Sequence, residues 1–127
     1  MSEPSKRAPA QKVVRRIAQH EGQFAIASVT WHELRFGAER LPDVMRRDAL
    51  RESIELLRAL VPIYDYDVAA ADWHARQRAK MLFAGRTEQP FDGQIAAIAT
   101  TRRLTLVTAN TKHFTDYEDL GVVDWSR

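Results

Sequence analysis

Short apolar runs, each too brief for a helix, alternate along this chain with longer stretches whose apolar residues recur at helical spacing. Phe24-Ala25-Ile26-Ala27 has no polar position on either face, as a strand covered on both sides requires. Leu104-Thr105-Leu106-Val107-Thr108 reads as a second such strand and Val122-Val123 as the last, just before Trp125. Val61-Pro62-Ile63-Tyr64 reads as a short strand that Pro62 confines to a sheet edge or a strand end. Strands interleaved with helices predict an α/β fold, a mostly parallel sheet covered on both faces.

The helical stretches supply that cover. After an irregular opening rich in Pro and charge, Val13, Val14, Ile17 and Ala18 mark the inner face of a helix that ends near Gly22. Another helix follows strand 24–27 at once. Pro42 opens the next, in which Leu50, Ile54 and Leu57 form a core stripe with charges opposite. Asp67 is placed to cap a helix whose stripe of Val68, Ala71, Ala75, Ala79 and Leu82 stops at Gly85. A loop over 86–90 leads to Asp92 and a helix with Ile95, Ile98 and Ala99 inside.

Composition narrows the chemistry. With 127 residues, 45% hydrophobic and 28% charged, residues 1–127 are expected to form one globular domain with a real core. No apolar run approaches the roughly 20 residues of a membrane span, and Met1–Arg7 lacks the apolar segment of a secretory signal, so a cytoplasmic protein is expected. The absence of cysteine rules out disulfides, thiolate metal sites and a Cys nucleophile. Any metal must then sit on oxygen or imidazole ligands, which favours hard cations. The net charge is only +2, but residues 1–47 carry nine Lys/Arg against five Asp/Glu while residues 48–127 carry ten against twelve. Fifteen of the nineteen basic residues are Arg, whose fork suits phosphate oxygens, although ordinary solvated helix faces account for the same count. There is no Gly-x-Ser-x-Gly elbow, P-loop or Gly-x-Gly-x-x-Gly.

Four residues stand where an apolar strand gives way to a helix, the edge at which an open α/β sheet builds its site. Thr30-x-x-Glu33 matches a capping box, which explains Glu33 without function; the alternative makes Glu33 a hard ligand at the sheet's carboxyl edge. Asp92 has the same two readings at a second helix start, where a cap contributes about 1 kcal/mol. Gly93 after it suits a helix turn only if backbone or ligand must approach closely. Thr108 and Asn110 close strand 104–108 as a turn and cap or as part of a site. His113 and Asp116 lie just beyond. His20, His32 and His74 lack the spacing of a zinc motif and read as surface or packing residues. Trp31, Trp73 and Trp125 read as core or interface anchors.

Ser28-Val29-Thr30-Trp31-His32-Glu33-Leu34-Arg35-Phe36-Gly37, then Phe91-Asp92-Gly93-Gln94-Ile95-Ala96-Ala97, then Leu104 to Phe114 resemble, in order and spacing, the PIN domain and within it the VapC-type toxins of bacterial toxin–antitoxin pairs. The likeness runs from about residue 2 to Trp125. It implies a metal-dependent endoribonuclease that in many relatives cuts tRNA or other structured RNA, a cognate antitoxin seated in the active-site groove, and a homodimer. Carried over by position, Glu33 and Asp92 would be Mg²⁺ or Mn²⁺ ligands, while Thr108 and Asn110 would shape the site or orient water. His113 stands where many relatives have another acid, with Asp116 a weak substitute.

Such a cluster suits phosphodiester hydrolysis, because divalent ions lower the pKa of bound water and neutralise charge on the phosphoryl oxygens. Family members open with a central apolar strand ending in Asp-Thr-Asn, and Met1-Ser2-Glu3-Pro4-Ser5 resembles the stretch immediately after that triplet. The resemblance thus implies a chain without the first strand and its catalytic Asp, impaired in catalysis, with neighbouring strands left short of backbone partners. Two functions stay open: an RNA-cleaving toxin, or an inactive remnant that binds an antitoxin or a second copy.

Overall fold

The computed structural model of the chain describes residues 11–117 and 119–125, so the expected irregular opening lies outside them. Helix α1, Gln11–Gln19, buries Val13 and Ile17. Ala18, expected beside them, is exposed, since it lies about 100° round the helix from Ile17. Strand β1, Phe24–Ala27, is buried at all four positions. It runs without a linking residue into α2, Ser28–Glu39.

Helix α3, Val44–Leu60, starts from Asp43, whose carboxylate accepts from the amides of Met45 and Arg46, and it buries the expected Leu50, Ile54 and Leu57. Strand β2, Ile63–Tyr64, is short and lies at the sheet edge, as Pro62 before it requires. Helix α4, Val68–Phe83, is capped by Asp67, which accepts from the Ala70 amide. Helix α5, Pro90–Thr101, is followed by β3, Thr105–Thr108, a 3₁₀ turn over Thr111–Phe114 and β4, Val122–Asp124.

The strand order is β2-β1-β3-β4 and every pairing is parallel. Alternate strand residues face opposite layers. Phe24, Ile26, Val107 and Val123 pack with α1, α2 and α3, whereas Ala27, Leu106 and Val122 pack with α4 and α5. The expected α/β class is therefore observed. One expectation fails: β1 and β3 are not left short of partners, because they pair directly with each other, Phe24 against Thr105 and Ala25 against Leu106. Both strands gain ladder bonds on their second side from β2 and β4.

A second correction concerns α4. Val68 and Leu82 of the expected core stripe are 77% and 68% exposed, and Ala75 and Ala79 are exposed too. The buried residues are Ala70, His74 and Met81, the opposite choice of face. His74 thereby carries a polar ring into the interface with α5, where it requires polar partners. Among the described residues no helix is long and apolar enough to cross a membrane.

Candidate active site at the carboxyl edge of the sheet

The chain leaves β1 towards β2 on one side and leaves β3 towards β4 on the other. The carboxyl ends of these adjacent strands therefore diverge into a crevice, the switch point where α/β sheets hold ligands. A cavity of about 300 Å³ lies there, lined among others by Thr30, Glu33, Asp92, Thr108, Asn110 and Trp125. All four residues singled out from the sequence thus reach one space, although they come from α2, α5 and the end of β3.

Neither carboxylate is a helix cap. Helix α2 begins at Ser28, with Ala27 in the N-cap position and no side-chain cap. Thr30 is thereby drawn inside the helix and buried, so the capping box cannot form. Glu33 sits in the second turn rather than the first, 71% exposed, with His32 Nδ1 3.5 Å from its carboxylate. Asp92 lies inside the first turn of α5, whose N-cap is Gln89 and whose opening residue is Pro90. Its side chain is 18% exposed and lies 3.3 Å from His113 Nδ1. The positive end of α5 favours this negative charge.

Thr108 is buried and its Oγ1 accepts from the Asn110 amide at 3.1 Å, which fixes the turn that carries Asn110 over the cavity. Asn110 precedes the 3₁₀ turn but makes no side-chain cap bond. Asp116 is drawn away from the cavity by Arg86, 2.7 Å distant. Of the tryptophans, Trp125 is buried core that also lines the cavity, Trp31 lies beneath Arg58 and Trp73 packs on Tyr117.

A buried polar cluster that no sequence motif announces adjoins Asp92. His74 Nε2 lies 2.5 Å from Glu88 Oε1, with the two side chains 8% and 2% exposed. The Tyr117 hydroxyl donates to Glu88 Oε2 at 2.6 Å, and Tyr66 Oη lies 2.8 Å from His74 Nδ1. Each polar group of the cluster has a partner: His74 Nε2 and the Tyr117 hydroxyl meet the two Glu88 oxygens, and His74 Nδ1 pairs with the Tyr66 hydroxyl. Burial first, then the hydrogen bond to Glu88, holds the Tyr117 hydroxyl protonated far above the usual phenol range. His74 and Glu88 are 14 residues apart, and the only local sign of their contact is Gly93.

The groups in the cavity lining that could ligate a cation are oxygens: the carboxylates of Glu33 and Asp92, the hydroxyls of Thr30 and Thr108 and the amide carbonyl of Asn110. That set suits a hard cation such as Mg²⁺, which proteins hold through one or two carboxylates with water and substrate phosphate completing the shell. Among the described residues there is no group of three His, Cys, Asp or Glu side chains that could hold a metal.

The PIN domain family matches residues 4–120. The chain is 38% identical over 111 residues to the tRNA(fMet)-specific endonuclease VapC of Shigella flexneri, covering 87% of this chain and 82% of that protein. Its fold is similar to DNA-bound VapBC from Salmonella typhimurium, with a TM-score of 0.68, 28% identity, and coverage of 91% of this chain and 86% of the other. It is also similar to FitAcB from Neisseria gonorrhoeae, with a TM-score of 0.69, 27% identity and coverage of 91% and 86%.

Proposed function

The chain belongs to the PIN domain family, and from that premise we propose that it is the endoribonuclease toxin of a toxin–antitoxin pair, a hydrolase of RNA phosphodiester bonds that uses Mg²⁺ or Mn²⁺ and is restrained by a cognate antitoxin. The observation that carries the reading is the convergence of Glu33 and Asp92, from different helices, with Thr108 and Asn110 on one cavity at the switch point. Transfer RNA is the substrate class taken over from the Shigella relative's name, and a homodimer is part of the same reading.

In this reading Glu33 and Asp92 hold the cation. A divalent ion, when bound, activates water and offsets charge on the phosphoryl oxygens. Glu33, exposed at the rim, meets solvent and substrate phosphate; Asp92, three-quarters enclosed or more, anchors the inner side. Thr108 keeps the Asn110 turn closed, and Asn110 then presents an amide to the phosphate or the attacking water.

The test is cleavage of tRNA by the purified chain with Mg²⁺ or Mn²⁺, compared with Glu33→Gln and Asp92→Asn. Cleavage that needs the metal and falls at least a hundredfold in Asp92→Asn is expected, as for loss of a metal ligand in catalysis by metal-activated water. Equal cleavage by both variants overturns the assignment. A second reading, a binding module that engages the antitoxin or another copy without cutting, is favoured by the lack of a third metal-binding side chain among the described residues. A folded chain that binds its antitoxin and cuts no RNA at any metal concentration would select it.

A further inference from the structure

Beside the cavity, and lining none of it, the cluster of Tyr66, His74, Glu88 and Tyr117 packs against the backbone of the residue that follows Asp92. A Cβ built on Gly93 would overlap both Glu88 Oε1 and His74 Nε2, so only glycine lets the pair reach the helix. We infer that the Glu88–His74 pair is a positioning device for Asp92: it clamps the first turn of α5 through Gly93 and fixes the carboxylate in the cavity. The inference rests on the reading of Asp92 as a site carboxylate.

The connections run to three sides of that turn. His74 belongs to α4, the helix packed along α5. Glu88 sits just before α5 in the loop that sets where the helix begins. Tyr117, held by Glu88 Oε2, packs its ring 6.3 Å from Phe114, which lines the cavity beside His113, the partner of Asp92. One buried carboxylate thereby joins the helix behind Asp92, the loop before it and the segment across from it. A buried carboxylate is costly unless it is hydrogen-bonded, and here each Glu88 oxygen has a partner, Oε1 with His74 and Oε2 with Tyr117. If α5 needed only packing, an apolar residue at 74 and alanine at 93 would serve at lower cost. The polar cluster gives direction as well as contact, which is what a precisely held ligand requires.

Mn²⁺ binding to the full chain, followed by the electron paramagnetic resonance of the free ion, tests this together with thermal unfolding. Glu88→Gln, which leaves the volume unchanged, is expected to weaken Mn²⁺ binding about tenfold, the scale seen when groups supporting a metal ligand are altered. Tyr117→Phe, which removes one donor and nothing else, is expected to weaken it less and keeps the test open if Glu88→Gln does not fold. Ile54→Val, in the other layer of the core, serves as the control that lowers stability alone. The inference is overturned if Glu88→Gln and Tyr117→Phe bind Mn²⁺ as the parent does, or if Ile54→Val weakens binding as much at the same loss of Tm. Asp92→Asn separates the two levels. If it too binds as the parent does, or if the parent binds no Mn²⁺, Asp92 is not a ligand and both readings fall; if only Asp92→Asn loses binding, the site stands and the clamp does not.

Discussion

Glu33 follows an apolar run and Asp92 a polar loop, and both carry a structural reading that the fold removes. Caps require the side chain to precede the helix, and each of these acids lies inside one. Side-chain chemistry was legible at these positions; helix starts, which depend on how a strand joins its helix, were not. Thr108 is a buried hydroxyl with one backbone partner, so Thr108→Val is expected to cost about 1 kcal/mol in urea unfolding and to lower cleavage more than that loss explains. Gly93→Ala drives a methyl onto Glu88 and His74 and is expected to cost about 1–3 kcal/mol by the same measurement. At the surface, the hydrogen bond from Arg51 holds the Glu39 carboxyl below its usual range. Its stabilisation is present above the ordinary carboxylate pKa and lost as pH falls through the lowered value. Arg51→Gln should return Glu39 upward in a carboxyl NMR titration and narrow the difference in Tm between neutral and acid pH.

Among the helices, α3 and α5 bury the stripes their spacing predicts, and α4 does not. The α4 sequence offers two faces, one of Val68, Ala71, Ala75, Ala79 and Leu82, the other of Ala70, His74 and Met81. Hydrophobicity alone selects the first. The second wins because His74 finds Glu88 across the interface and Met81 fills space by its flexibility. The helix ends where expected, at Gly85, whose φ of 74° lies in the left-handed region. The Arg86 amide donates to the Met81 carbonyl at 2.8 Å across this turn. Gly85→Ala is therefore expected to lower stability by about 1 kcal/mol in thermal unfolding, with open space around the added methyl excluding a clash as the cause.

Across the molecule, two apolar layers share one sheet, and the site lies where neither layer closes over the ends of β1 and β3. Ile54, fully buried on the α3 side and absent from the cavity lining, separates stability from function: Ile54→Ala is expected to cost about 2–5 kcal/mol in denaturant unfolding while RNA cleavage below the melting transition stays unchanged. Strand and helix periods are local properties of the chain, and from them come the α/β class, the parallel sheet, the helices that carry Glu33 and Asp92 and the strand end at which Thr108 and Asn110 stand. Contacts between distant segments leave no such period. The direct pairing of β1 with β3, the face α4 turns inward, and the burial of Glu88 between residues 14 and 29 positions away were settled only when the chain was packed, because burying a polar group is favourable solely where its partners arrive together.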